Sequence, residues 1–514
     1  MILTDLILIL MAGALLSWIV GKWSPVGARI ISLLALAVDL ILTLTLLNVP
    51  VPSGTQWIVN WKAEWIPALG ISLHLATDGI SVLLLLLTFF IGIISVVISW
   101  KEIQKKVGFF HFNLLMALAG VTGVFLSLDL FLFYFFWELM LIPMYFMIGI
   151  WGSGEKTKAV YKFFIFTQIG SFLMLVSILT LYFIHGSQTG VYTFDVIQLT
   201  GTKAAASTMF LIMSGFLAAF FVKLPIVPLH NWLPDTYTAA PTAGTLLLAA
   251  LLSKTAAYGL IRFIFPLFPA AAHAFAPAGM ILGIVAIFYG AKLAYAQTDL
   301  KRLIAYSSIS HMGFILLGVF AFNQIAYQGV VIQMLAHGIT IAALFILAAV
   351  LSQRLQTRDL NQMGGLWEKA PMMGGIGLAF AMASLGLPGL GNFIAEFFIL
   401  LGTFQAHTVM AVIAVFGLLA SAIYTLRMLQ RIFFGKLKTE LRFKDLTVRD
   451  GFVFASLLIL IVWMGVYPRS FLNISAPAVK KTLSVHQDQM SETAYNSVTT
   501  FSFSNQIFET KNLR

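Results

Sequence analysis

Residues 221–235 read Phe221-Val222-Lys223-Leu224-Pro225-Ile226-Val227-Pro228-Leu229-His230-Asn231-Trp232-Leu233-Pro234-Asp235. The stretch closes an apolar run that begins near Met209, which places Lys223 inside a membrane helix. Pro225 and Pro228 lack a backbone N–H and clash with the preceding turn, so the helix breaks there. Hydrocarbon cannot satisfy the carbonyls that a break sets free, so such backbone is buried in protein or lines a wet cavity. An ammonium at the bilayer centre costs at least about 3 kcal/mol and needs a partner or a pathway. Lysine beside a broken helix is the pattern of a transporter midplane.

Composition agrees. Of 514 residues, 60% are hydrophobic and 10% charged, and the mean hydropathy is +0.94. Soluble domains carry roughly 25% charged residues, so the chain reads as polytopic. The net charge of +11 sits in short loops between apolar runs, which is topology rather than a nucleic-acid surface. The absence of cysteine excludes disulfides, Cys-ligated zinc, iron–sulfur clusters and thiol catalysis within the chain. The first apolar run, Ile2 to Val20, ends without a small-residue cleavage pattern and reads as the first membrane helix.

Requiring roughly 20 apolar residues per span predicts about fourteen helices. They fall near 2–21, 28–49, 79–100, 110–127, 129–150, 160–184, 207–224 (continuing to 237) and 242–263, then 275–296, 301–321, 326–351, 372–404 (interrupted), 408–433 and 451–467. Basic residues gather in the loops after odd-numbered helices: Lys22 and Arg29; Lys101, Lys105 and Lys106; Lys156 and Lys158; Lys301 and Arg302; Arg354, Arg358 and Lys369; Lys436, Lys438, Arg442 and Lys444. The loop after the seventh helix is the exception. Positive-inside bias places these loops in the cytoplasm and both termini outside.

Helix twelve is interrupted at Leu387-Pro388-Gly389-Leu390-Gly391-Asn392, as helix seven is at its prolines. Two broken helices five positions apart predict two five-helix repeats, helices four to eight and nine to thirteen, with the second inverted. The fold class is therefore all-α. Its expected units are three N-terminal helices (1–105), a first repeat (106–265), a second repeat (270–435), a last helix (436–470) and a polar external tail (471–514).

Within the apolar spans stand Glu138, Lys223, Lys254, His311, His337 and Glu396. All are side chains that exchange protons. A buried Glu–Lys pair is bistable: together both are charged, while separation makes either charge expensive. Intramembrane histidines often only tie helices together. Two midplane ammonium groups and a mid-helix glutamate argue for more than that. Asp129 and Asp235, near helix ends, read as caps or interface groups.

These residues resemble the antiporter-like membrane subunits of respiratory complex I, a family shared with multisubunit cation/proton antiporters. The matching runs are Phe136-Trp137-Glu138 with Pro143-Met144-Tyr145, and Lys223-Leu224-Pro225 through Asp235. Others are Ala240-Pro241-Thr242-Ala243-Gly244, Lys254 through Gly259, Asp299 through His311, and Leu387-Pro388-Gly389 with Phe393-Ile394-Ala395-Glu396-Phe397. The resemblance spans roughly 100 to 465. Glutamate rather than lysine at 396 narrows it to the branch of the middle subunit, M in bacteria and 4 in organelles.

The resemblance implies a proton-translocating subunit of an NADH:quinone oxidoreductase in the bacterial inner membrane, with no redox chemistry in this chain. NAD, FMN, iron–sulfur clusters and quinone would belong to partner subunits. Its own partners would be neighbouring antiporter-like subunits, lipid, protons and water, with no nucleic acid and no metal. In the implied mechanism Glu138 and Lys223 form a switching pair, Lys254 accepts a proton, His311 and His337 relay it, Glu396 passes it on, and His230 gates water. A subunit of a cation/proton antiporter remains an alternative, as does one of a related hydrogenase or ferredoxin-quinone reductase. A pure scaffold is a third reading, which the row of buried titratable groups disfavours.

Overall fold

The computed structural model describes residues 1–52, 54–437 and 445–484. Lys438, Arg442 and Lys444, counted above in the last basic loop, lie outside the described residues, as does 485–514. The helices are α1 (Ile2–Val20), α2 (Pro25–Leu46), α3 (Gly79–Glu102) and α4 (Val107–Leu126), followed by α5 (Leu130–Trp151), α6 (Lys156–Thr189) and α7a (Ala206–Lys223). Next come α7b (Leu233–Ala239), α8 (Thr242–Leu267), α9 (Pro269–Ala296), α10 (Leu300–Val319) and α11 (Gln324–Leu355). The broken α12 consists of α12a (Pro371–Ser384) and α12b (Gly391–Ala406), before α13 (Thr408–Phe433) and α14 (Val448–Val466).

Among the described residues, 13 of these helices are long and apolar enough to cross a membrane, and the two halves of α12 add the interrupted one. The protein is an all-α polytopic membrane protein. α8 and α11 are buried throughout their most apolar stretch, whereas α6 and α13 expose apolar flanks such as Phe172, Phe183 and Leu419. A helix apolar all round belongs in a core or in lipid, and both kinds are present.

The breaks fall where the prolines and glycines put them. α7a ends at Lys223, and the freed carbonyl of Val222 accepts the indole N–H of Trp232 at 2.9 Å. In α12 the turn uses Gly386 at φ +79° and Gly389 at φ +93°, conformations that side chains with a Cβ rarely adopt. A third interruption is present. α5 breaks at Met140, two residues after Glu138, because Pro143 has no N–H for the Leu139 carbonyl.

Two features depart from the sequence reading. Residues 59–77 form an antiparallel hairpin, β1 (Val59–Ile66) with β2 (Ile71–Thr77), in the register Lys62↔His74. Residues 469–484 form a helix rather than a loose tail. It buries Ser475, Ala478 and Val479, and its Ile474 carbonyl presses on Gly79 so closely that an added Cβ would lie 1.7 Å away. Hydropathy windows miss both because neither element spans the bilayer.

Asp195, between α6 and α7a, fastens the hairpin. Its Oδ2 accepts from Lys62 Nζ at 2.6 Å and lies 3.0 Å from His74 Nδ1, while His74 Nε2 meets Asn60 Oδ1 at 2.8 Å. Burial pushes the Asp195 carboxyl up, but hydrogen bonds and charge from His74 and Lys62 outweigh it and hold it at about 2 instead of 3.8. A depressed carboxyl stabilises above its unfolded value and loses that contribution as pH falls through the folded one. The latch therefore contributes about 2 kcal/mol at neutral pH and loses it between about pH 4 and 2. Amide protection across the hairpin, taken relative to the intrinsic exchange rate, should fall in that window, and Asp195→Asn should lower it at pH 7. An exchange rate unchanged by the substitution would refute the latch.

Candidate functional site

The buried core holds a line of proton-exchanging side chains from α8 to α12b. Lys254, fully buried, donates to the Ala249 carbonyl at 2.7 Å and to Ser253 Oγ at 3.2 Å. Its Nζ also lies 2.8 Å from His337 Nδ1 on α11. The Ala249 carbonyl faces it because α8 is wound as π-helix over Leu247–Leu252 and again over Leu260–Ile264. Such wider turns recur at functional sites. Nothing in the residue pattern signals them.

His337 Nε2 has no protein partner, and its ring lies 5.5 Å, centroid to centroid, from that of His311 on α10. His311 Nδ1 is 2.9 Å from Glu396 Oε1. Its Nε2 faces Ser384 Oγ at 3.3 Å and the Tyr424 hydroxyl at 3.4 Å. Gln333 also donates to Glu396 Oε1, at 3.3 Å. Four of the residues named from sequence, Lys254, His337, His311 and Glu396, are thus brought into one file.

Glu138 and Lys223 form a separate group and do not make the expected ion pair. Lys223 Nζ sits 3.5 Å above the centre of the Trp137 ring and donates to the Trp137 carbonyl at 3.3 Å. Glu138 Oε1, one residue on, is buried without a partner. A desolvated cation–π contact contributes about 2 kcal/mol to holding the lysine over the ring. His230 joins neither group: its ring packs against Tyr289 with centroids 5.2 Å apart, and its Nδ1 is unpartnered.

Asp129 caps α5, accepting from Phe131 and Leu132, as its position suggests. Asp235 is not a cap: it lies in the first turn of α7b and bridges Lys162 at 2.8 Å and Arg302 at 2.7 Å, clamping α6, α7b and α10.

Several groups escaped the sequence reading. A cleft of about 500 Å3 is lined by Glu102, Ser153, Thr242, Lys301, Gln353 and Arg358. It opens at the Lys-rich face beneath α8, whose Lys254 lies twelve residues, about 18 Å, beyond Thr242. Glu102 accepts the Thr242 N–H at 3.0 Å with one oxygen and leaves the other buried and unpartnered. Farther along α8, Arg262 pairs with Asp78 and donates to the Tyr258 hydroxyl at 3.0 Å. Arg262 interrupts the apolar run Leu260-Ile261-Arg262-Phe263, a signal that intramembrane charge alone would have flagged.

Fold and site together define a polytopic helical membrane protein whose core carries a file of proton-exchanging side chains beside broken helices. The sequence profile of the family described as "NADH:quinone oxidoreductase/Mrp antiporter, TM" matches residues 127–423, and the chain belongs to this family. It is 51% identical over 492 residues to NADH-quinone oxidoreductase subunit M of Pseudomonas aeruginosa, covering 93% of this chain and 97% of the relative. The subunit M of Escherichia coli is 49% identical over 493 residues, with the same coverage. Among solved structures, a chain of respiratory complex I from Thermus thermophilus with bound NADH superposes with a TM-score of 0.84 at 27% identity, covering 94% of this chain and 99% of that one.

Proposed function

We propose that the chain is the proton-translocating subunit M of an NADH–quinone oxidoreductase in the bacterial inner membrane, with both termini periplasmic. The observation that carries this reading is the file Lys254–His337–His311–Glu396. NADH oxidation and quinone reduction take place in partner subunits, and neighbouring antiporter-like subunits flank this one. The cleft at Glu102 and Lys301 admits protons from the cytoplasm. Lys254 takes a proton and gives it to His337 Nδ1. One water spans the gap between the imidazoles, His311 passes the proton to Glu396, and Glu396 releases it outward or signals to the next subunit. Lys223 swings between the Trp137 ring and Glu138, so that the charge state of this pair biases Lys254. His230 gates water at the α7 break, and the repeats of helices four to eight and nine to thirteen are related by inversion.

Lys223→Ala is expected to abolish NADH-driven proton uptake in inverted membrane vesicles while the complex still assembles. Assembly lost together with pumping would assign Lys223 a structural role. Native-gel separation with an in-gel NADH stain tests the setting. A band containing this chain together with flavin and iron–sulfur subunits supports the reading, and a smaller particle without them would make the chain an antiporter subunit.

A further inference from the structure

α2, α3 and α4 bury a second set of polar side chains, which the relay does not use. On α2, Arg29, Ser32, Asp39 and Thr43 all face inward. On α3 the inward polar residues include Thr88, Ser95 and Ser99, and on α4 they include His111 and Thr122. Spacings of three, four, seven and eleven put each set on one helix face.

The three faces meet at Gly92, where an added Cβ would lie 2.9 Å from both Leu36 and Leu118. α3 runs antiparallel to the other two: Arg29, near the start of α2, donates to the Ile103 carbonyl just past the end of α3 at 2.9 Å. The residues therefore stack in layers. One turn from the Leu36–Gly92–Leu118 layer, away from the Lys-rich face, stand Asp39, Thr88 and Thr122. Toward that face come Ser32 and Ser95, then Arg29, Ser99 and His111.

Asp39 is fully buried, and neither of its carboxyl oxygens has a partner. Ser95 Oγ, Thr122 Oγ1 and His111 Nε2 are likewise buried without partners. Thr43 bonds only the Asp39 main-chain carbonyl, so the acid is neither a cap nor part of a hydrogen-bonded joint. Among groups that pack against α2, Arg29 and His111 are the ionisable ones on the inward faces. The buried face of α1 is apolar apart from Ser17, and Asp5 lies off it. Buried polar atoms find partners in protein, water or an ion, and a buried carboxyl without a counter-charge is the most expensive of them to leave ionised.

We propose that α2, α3 and α4 enclose a second proton-binding site, with the Asp39 carboxyl as the group that takes and returns the proton. Water seated among His111, Ser95 and Thr122 connects it to the Lys-rich face, and Leu36 and Leu118, packed on Gly92, form the constriction. The O–H bond forms on an Asp39 oxygen with an excess proton carried by that water, which is left neutral, and breaks when the proton returns to it. The site extends the proton-translocating reading and rests on it for the pumping readout only.

The test uses the assembled complex in native membranes. Dicyclohexylcarbodiimide adds to protonated carboxyls in apolar surroundings, so an adduct on the Asp39 peptide is expected, diminishing as pH rises and changing in rate during NADH turnover. Asp39→Asn should lose the adduct and lower the protons moved per NADH oxidised, and Asp39→Glu should restore them. An Asp39 that stays unlabelled, or is labelled identically with and without turnover, would overturn the proposal. So would Asp39→Asn pumping like the parent. If Asp39→Asn does not assemble, Asp39→Glu decides: a shifted pH profile of pumping supports the site, and an unshifted one overturns it. Parent vesicles that move no protons would defeat the proposed function instead, while the adduct would still report on Asp39.

Discussion

Replacing Lys254 by methionine is expected to abolish proton uptake by the assembled complex, and replacing it by arginine is expected to do the same. The side chain is fully buried, and its three N–H positions meet three acceptors: Ala249 O at 2.7 Å, His337 Nδ1 at 2.8 Å and Ser253 Oγ at 3.2 Å. An ammonium in that cradle is fully bonded, and its 2.8 Å contact is a route for the proton. Nδ1 accepts it only when His337 carries its own hydrogen on Nε2, the nitrogen without a protein partner. Methionine removes the donor and leaves the acceptors bare. Arginine keeps a positive charge yet does not give up a proton in proteins. A lysine that matters only as a fixed charge is thus replaceable by arginine, and one that hands on a proton is not. Loss of a positioned proton-transfer group lowers rates by about 100-fold or more. Dye-quench measurement of proton uptake, scaled to complex on native gels, reads the effect. Arginine vesicles that acidify like the parent would remove Lys254 from the path.

What could be read in the chain beforehand divides along physical lines. Charges inside apolar runs are conspicuous because hydrocarbon tolerates so few of them, which is why Lys223, Lys254, Glu138 and Glu396 stood out, and why the prolines of α7 and the glycines of α12 marked breaks. Pairing was less legible. Lys223 and Glu138 look like natural partners, yet the Trp137 ring lies on the same turn as Glu138 and takes the lysine. Aromatic capture leaves no trace in spacing. The π-turns around Lys254 and the break after Glu138 are backbone responses to packing and to Pro143, and a periodicity of 3.6 cannot distinguish them from plain helix. Asp39 is inconspicuous for the opposite reason: a single acid in α2, with no base within one turn of it, looks incidental until both of its oxygens are found buried and unpartnered.

Glu396→Gln should halt pumping without disturbing assembly, whereas Glu396→Ala should harm both. The carboxylate accepts from Gln333 at 3.3 Å and lies 2.9 Å from His311 Nδ1, on a side chain that is 2% exposed. Glutamine has the same outline and can still accept these bonds through its amide oxygen, but it offers no site for a proton. Alanine leaves two buried donors without acceptors, at about 1–3 kcal/mol each, so less complex should reach the native gel. The second oxygen, Oε2, has no partner and points toward Gly386, where an added Cβ would stand 2.9 Å from it. Gly386 belongs to the break in α12, so one carboxyl oxygen faces the relay and the other faces the interrupted helix. That two-sided placement suits a group that receives from His311 and releases across the break, and the amide isostere isolates it: about 100-fold slower proton uptake at normal complex levels marks a proton carrier. Parent-like uptake by the glutamine variant would leave Glu396 as no more than a hydrogen-bond acceptor holding His311 in place.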